Sequence, residues 1–185
     1  MGRKFEDLTY MVDYRDIKYP RLEFKTATLL LVLPRNYPNE VQILEKHRKW
    51  IAKKKHVIQA ALEQSKAKQL NQTRTLSELK NLASTLIQQY QTELSTTVKK
   101  TVYRKMRTKW ASHSRRGNLT VNALLRYLPK NLIGYIFYHE LTHAKHGRKH
   151  DREFWKTIGK KFKEYREREN ELLVYWFLIQ KAESA

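Results

Sequence analysis

The helix that follows Pro129 constrains this chain more than any other segment. Leu132, Ile133, Tyr135, Ile136, Phe137, Tyr138 and Leu141 leave it apolar on nearly every face. Such a helix has to run through the interior, and the rest of the fold must be built around it. Its last turns nevertheless carry His139, Glu140 and His143. Residues four apart stand one turn apart on the same face, so two imidazoles come together in apolar surroundings. Burying them with a carboxylate and no partners costs several kcal/mol. A cluster of hydrogen bonds would remove that cost, and so would a metal ion.

The spacing favours the ion. Zinc takes imidazole nitrogens at about 2.0–2.1 Å in a tetrahedral arrangement, and His139 and His143 can supply two of them. Glu140 is turned about 100° around the helix from His139, beside the ion without ligating it. That is the place for a general base acting on a water, the chemistry attached to H-E-x-x-H. A third ligand is needed. His146 lies about 10 Å up the axis from His139 on a straight helix. His150 is the better candidate, because Gly147 can end the helix and turn the chain back. Asp151, Glu153 and Glu164 are weaker carboxylate options. The expected centre is one Zn2+ per chain on His139, His143 and His150, with Glu140 as catalytic base. Gly147 and His150 each fall one residue late for the metzincin pattern, and no methionine follows Met106, so a metzincin is excluded.

The sequence contains no cysteine. Disulfides, thiolate ligands and thiol nucleophiles are therefore absent, which fits a cytoplasmic protein. No segment approaches the roughly 20 apolar residues of a membrane span, and the first residues lack the apolar core of a secretory signal. The 185 residues are expected to form a single domain: strands over 1–40, a long helical section over 40–96, and the metal-site region over 97–185. Residues 26–33 are a β-prone run ended by Pro34. Asn39 and Gln42 open one helix, and Thr75 with Glu78 opens another. Strand character returns over 101–110, and Ser114-Arg115-Arg116-Gly117 reads as a hairpin tip. Pro129 is expected at the first position of the apolar helix. The apolar run 172–179 reads as a helix closing the core, with a dimer face as the alternative.

Lys and Arg outnumber Asp and Glu by 38 to 18, a formal charge of +20. Such a field attracts polyanions. A solvated basic surface and a nucleic-acid-binding face are both consistent with it. An alternative function follows: a basic nucleic-acid-binding protein whose metal site is not catalytic. A metal-dependent nucleotide or phosphoanhydride hydrolase is a further alternative to a peptidase.

The order of several blocks goes beyond these patterns. Lys109-Trp110-Ala111-Ser112-His113-Ser114, Gly117-Asn118-Leu119-Thr120-Val121-Asn122, Leu128-Pro129, His139-Glu140-Leu141-Thr142-His143 and His150-Asp151-Arg152-Glu153-Phe154-Trp155 follow one another along the chain. Together they resemble the YgjP-like predicted metal-dependent hydrolases, a zincin-type group similar in layout to SprT-like proteases. The resemblance implies an α+β zincin-like fold with a small antiparallel or mixed sheet packed on the active-site helix. It implies zinc at His139, His143 and His150, Glu140 as acid/base, a peptide or protein substrate, and the 110–122 hairpin beside the cleft. Ala111 and His113 stand where that family usually has Gly and Cys, and Asp151 where Ser is frequent. Six residues separate His143 from His150 where five are expected. His113 reads as a surface histidine of the hairpin, with a functional histidine near the metal as the alternative.

Overall fold

Residues 29–33 are buried one after another, on both faces of the pleat, as a central strand with neighbours on either side must be. They belong to β4 (Thr28–Pro34), which pairs in parallel with β2 (Leu8–Arg15) and antiparallel with β3 (Arg21–Lys25). β1 (Arg3–Phe5) adds antiparallel to β2, giving the order β1-β2-β4-β3. The computed structural model describes residues 2–6, 8–25, 27–147 and 149–184. The chain divides into two compact units, 1–64 and 65–185.

In the first unit the Asn39 side chain accepts from the N–H groups of Val41 and Gln42 at 3.1 and 3.4 Å, opening α1 (Glu40–Lys46). The helix expected from this cap is two helices. The His47 N–H is shared between the carbonyls of Ile43 and Leu44 at 3.1 and 3.2 Å, a turn after which α2 (Arg48–Ser65) begins. Ile43, Leu44 and Ile51 pack with Tyr10, Leu29, Leu31 and Leu33 into one core.

The second unit starts its main helix with the expected capping box. Thr75 Oγ1 accepts the Glu78 N–H at 3.2 Å, and Glu78 Oε2 accepts the Thr75 N–H at 2.7 Å. This opens α3 (Leu76–Leu94), which packs on α4 (Lys130–His146) through Leu79, Ala83, Ile87, Tyr90 and Leu94. Residues 132–138 of α4 are all buried, as the apolar pattern requires. Pro129 stands at the N-cap, one position earlier than expected.

The second sheet has the order β5-β7-β6: β5 (Lys100–Arg104) lies parallel to β7 (Asn118–Asn122), and β6 (Ala111–His113) lies antiparallel to it. The strand expected over 101–110 stops at Arg104. Asn122 gives the physical reason. Its buried amide accepts the Met106 N–H at 3.2 Å and donates to the carbonyls of Met106 and Lys109 at 2.8 and 2.7 Å. One side chain thus takes the backbone groups that a ladder would have used. α5 (Arg152–Lys161) and α6 (Tyr165–Ser184) complete the unit. Leu172, Tyr175 and Ile179 of α6 lie in the same core, so the apolar run closes it. Two small mixed sheets with six α-helices among the described residues make the protein α+β. No described helix is long and apolar enough to cross a membrane.

Candidate metal centre

The burial of α4 ends in its last turns, where His139, Glu140 and His143 reach a cleft of about 1170 Å³. Gly147 stops the helix. Its N–H donates to the His143 carbonyl at 2.9 Å, and its φ of +80° is a conformation that suits glycine. The chain then returns His150 to the other two. The Nε2 of His150 lies 3.1 Å from that of His139 and 3.0 Å from that of His143.

Hydrogen bonding alone does not account for this grouping. His143 Nδ1 lies 2.8 Å from the Gly147 carbonyl, which can only accept, so that nitrogen carries the proton and Nε2 presents a lone pair. His139 Nδ1 faces Glu169 Oε1 at 3.4 Å, an electrostatic contact too long and poorly aligned for a full hydrogen bond. The contact favours a proton on Nδ1 there too. Two lone pairs therefore converge with the ring of His150, whose Nε2 can serve only one of them. A cation at the centre satisfies all three. Tetrahedral zinc ligands at about 2.0–2.1 Å stand roughly 3.4 Å apart, close to the spacing found.

The rings are held from below and behind. Phe154, fully buried, stacks on His143 at 4.6 Å and meets His139 and His150 edge-on at 5.0 and 4.7 Å. Trp155 lies 5.4 Å from His150. Burial first, then the neighbouring His139 and His143, push the His150 pKa below its ordinary value. On the other wall Glu140 Oε2 accepts the backbone N–H of His113 at 2.9 Å, which fixes the carboxylate between α4 and β6. His113 is not a surface residue of the hairpin: it is half-buried in the cleft wall, and its buried Nε2 has no hydrogen-bond partner among the described residues. Burial lowers its pKa, against the pull of Glu140, and keeps the ring neutral at neutral pH.

The sequence profile of the YgjP-like, metallopeptidase domain matches residues 55–174. The chain belongs to the YgjP-like family. That membership makes it a protein of a metal-dependent peptidase class. The chain is similar to the crystal structure of the metallopeptidase zymogen abylysin of Pyrococcus abyssi, with 24% identity and a TM-score of 0.40, over 43% of this chain and 79% of that one. It is similar also to the metallopeptidase zymogen jannalysin of Methanocaldococcus jannaschii, with 24% identity and a TM-score of 0.44, over 54% of this chain and 88% of that one. No curated protein matches.

In this YgjP-like chain the structure brings together His139, His143, His150 and Glu140, and leaves the other candidates elsewhere. His146 Nε2 bonds Thr157 Oγ1 at 2.9 Å. Asp151 caps α5, accepting the Phe154 N–H at 3.0 Å, and Glu153 pairs with Lys156 at 3.6 Å. Glu169 and Tyr135 were not foreseen. The Tyr135 hydroxyl donates to Glu169 Oε1, and burial first, then that carboxylate, raise the tyrosine's pKa far above its ordinary value. Glu169 sits in the charged run 166–171, which in a sequence looks like any solvated helix face. Nothing in its spacing marked it.

Proposed function

We propose that this protein is a zinc-dependent metallopeptidase in which His139, His143 and His150 hold one zinc ion and Glu140 is the general base. The observation that carries this reading is the convergence of three imidazole nitrogens, with His150 Nε2 at 3.1 and 3.0 Å from those of His139 and His143 and all three within 4.8 Å of one another, and with the tautomer of His143 fixed by the Gly147 carbonyl. Bound zinc supplies a Lewis acid that lowers the pKa of a water toward about 7 and polarises a carbonyl oxygen. Glu140, aimed into the cleft by the His113 N–H, takes the proton of the attacking water onto its carboxylate and passes it to the leaving amine nitrogen.

The edge of β6 suits a peptide. Antiparallel ladders alternate between bonded and open pairs. The Ser114 N–H donates to the Asn118 carbonyl and the Asn122 N–H to the Trp110 carbonyl, both at 2.9 Å, so Ala111 and His113 turn their backbone groups away from β7. The His113 N–H reaches Glu140, and β6 stands at the edge of its sheet, where an extended chain would add as a further strand.

Metal analysis tests the reading. Wild type should carry about one zinc per chain. His139→Ala, His143→Ala and His150→Ala should each lose it, while His146→Ala keeps it. Glu140→Ala should retain zinc and lose peptide hydrolysis by about 10²- to 10⁴-fold. Folded wild type that takes up no zinc would end the proposal.

A further inference from the structure

The cleft holds more positive charge than the peptidase reading uses. Lys99, Lys109, Arg115, Arg116 and Lys145 line it, and all are exposed. None of the five pairs with an acid among the described residues. Elsewhere in the same unit cations do find partners: Lys68 with Glu171 at 2.7 Å, Lys105 with Glu183 at 2.6 Å, and Lys161 with Glu93 at 2.5 Å. The cleft's own acids are engaged inward, Glu140 with the His113 N–H and Glu169 with the Tyr135 hydroxyl. The rim is therefore uncompensated.

Its placement follows the β6 edge. Lys109 precedes the strand, and its carbonyl is held by Asn122. Arg115 and Arg116 follow it at the hairpin tip, where the Gly117 N–H donates to the Ser114 carbonyl at 3.0 Å. Lys99 is pinned to the same tip. Its N–H donates to the Gly117 carbonyl at 2.8 Å, and its stem runs so close to Gly117 that a Cβ there would sit 3.0 Å from the lysine Cγ. Lys145 projects from the last turn of α4. At about 3.3 Å per residue, Lys109 and Arg115 bracket roughly six residues of extended chain.

We propose that the substrate is an acidic peptide segment, with Asp or Glu on both sides of the bond that is cut. The proposal rests on the peptidase reading and names its substrate class. An extended acidic peptide matches two features at once: its backbone can add to the edge strand β6, and its carboxylates meet the rim. A nucleic acid would meet the cations alone. Single exposed ion pairs contribute little, but several acting on one ligand give a selectivity of about tenfold, and salt screens it.

The test uses the full-length zinc-loaded protein and three peptides of equal length, whose flanking positions are all Glu, all Gln or all Lys. Binding to Glu140→Ala is read by fluorescence anisotropy, and kcat/KM is read on wild type. The Glu peptide should bind and turn over about tenfold better than the Gln peptide, with the Lys peptide last. In R115Q/R116Q, checked for an unchanged melting curve, the Glu-to-Gln ratio should fall toward one, as it should in wild type at raised salt. Three peptides cleaved equally well would overturn the acidic preference and leave the peptidase reading standing. A zinc-loaded protein that cleaves none of them would overturn both. A single-stranded oligonucleotide of equal charge that displaces the Glu peptide and binds more tightly would also overturn it, in favour of a nucleic-acid site.

Discussion

In the first unit Glu40 accepts from Arg3 and Tyr10, Asp13 from Arg15 at 2.6 Å, and Glu6 and Glu45 from Arg48 at 2.8 Å each. In the second unit three imidazoles face one another, the buried His113 Nε2 has no hydrogen-bond partner among the described residues, and five exposed cations rim a cleft without an ion-pair partner among them. Both units are small mixed sheets with helices, built by the same patterning. They differ in that the buried side-chain polar atoms without a hydrogen-bond partner among the described residues all lie in the second unit. An acid met by its own chain's cation asks for nothing from outside, whereas buried nitrogens left without partners are costly unless something else completes them. That contrast locates the site better than charge or apolar content does.

The largest effect expected from breaking the contrast lies beneath the histidines. Phe154 is fully buried against all three rings, so Phe154→Ala should cost about 3–5 kcal/mol in chemical denaturation and should also loosen the ligands. Leu44→Ala, equally buried in the core of the first unit, should cost about 2–5 kcal/mol with zinc affinity unchanged. If Leu44→Ala weakened zinc binding as much as Phe154→Ala, the units would not be separable in function.

A smaller effect sharpens the comparison within the second unit. Burial pushes the Glu169 carboxyl up, but the facing His139 ring and the hydrogen bond from Tyr135 outweigh it and hold the pKa below the ordinary value. The group is thus ionised at neutral pH, facing His139 Nδ1. Glu169→Gln keeps an acceptor for Tyr135 and removes the charge. Zinc affinity, measured by chelator competition, should fall about 10- to 100-fold, as it does when a group behind a metal-bound histidine is lost. An unchanged affinity would reduce Glu169 to a packing residue.

How much of this could be read in the sequence depended on whether the information was local. The Thr75–Glu78 box, the glycine that ends α4 and the unbroken burial of 132–138 are local patterns, and each is found where expected. His150 was preferred to His146 on helix rise alone, and the structure groups it with His139 and His143 because Gly147 turns the chain. What stayed hidden were contacts between distant segments. Asn122 ends β5 by reaching across 16 residues to Met106, and no propensity describes that. His113 looked like a polar hairpin residue because hairpin tips are polar. Its burial comes from α4, which the hairpin's own sequence does not mention.

The smallest effect tests the other side of the contrast, the satisfied charge of the first unit. Burial acts to raise the Glu40 pKa, but hydrogen bonds from Arg3 and Tyr10 prevail and lower it from 4.5. A carboxyl whose folded pKa is depressed stabilises the fold fully above its unfolded value, and loses that contribution as pH falls through the folded one. Glu40→Gln should therefore melt roughly one or two degrees below wild type at neutral pH, since Arg3 is exposed and such pairs are weak. The gap should close as the pH falls through the lowered pKa of the Glu40 carboxyl, where wild type is protonated as well. Zinc content should not change at any pH at which wild type holds zinc. A gap that widened in acid would mean that Glu40 is held mainly by its burial and not by its cation. The first unit would then store an unmet polar group of its own, and the difference in charge between the units would be one of degree.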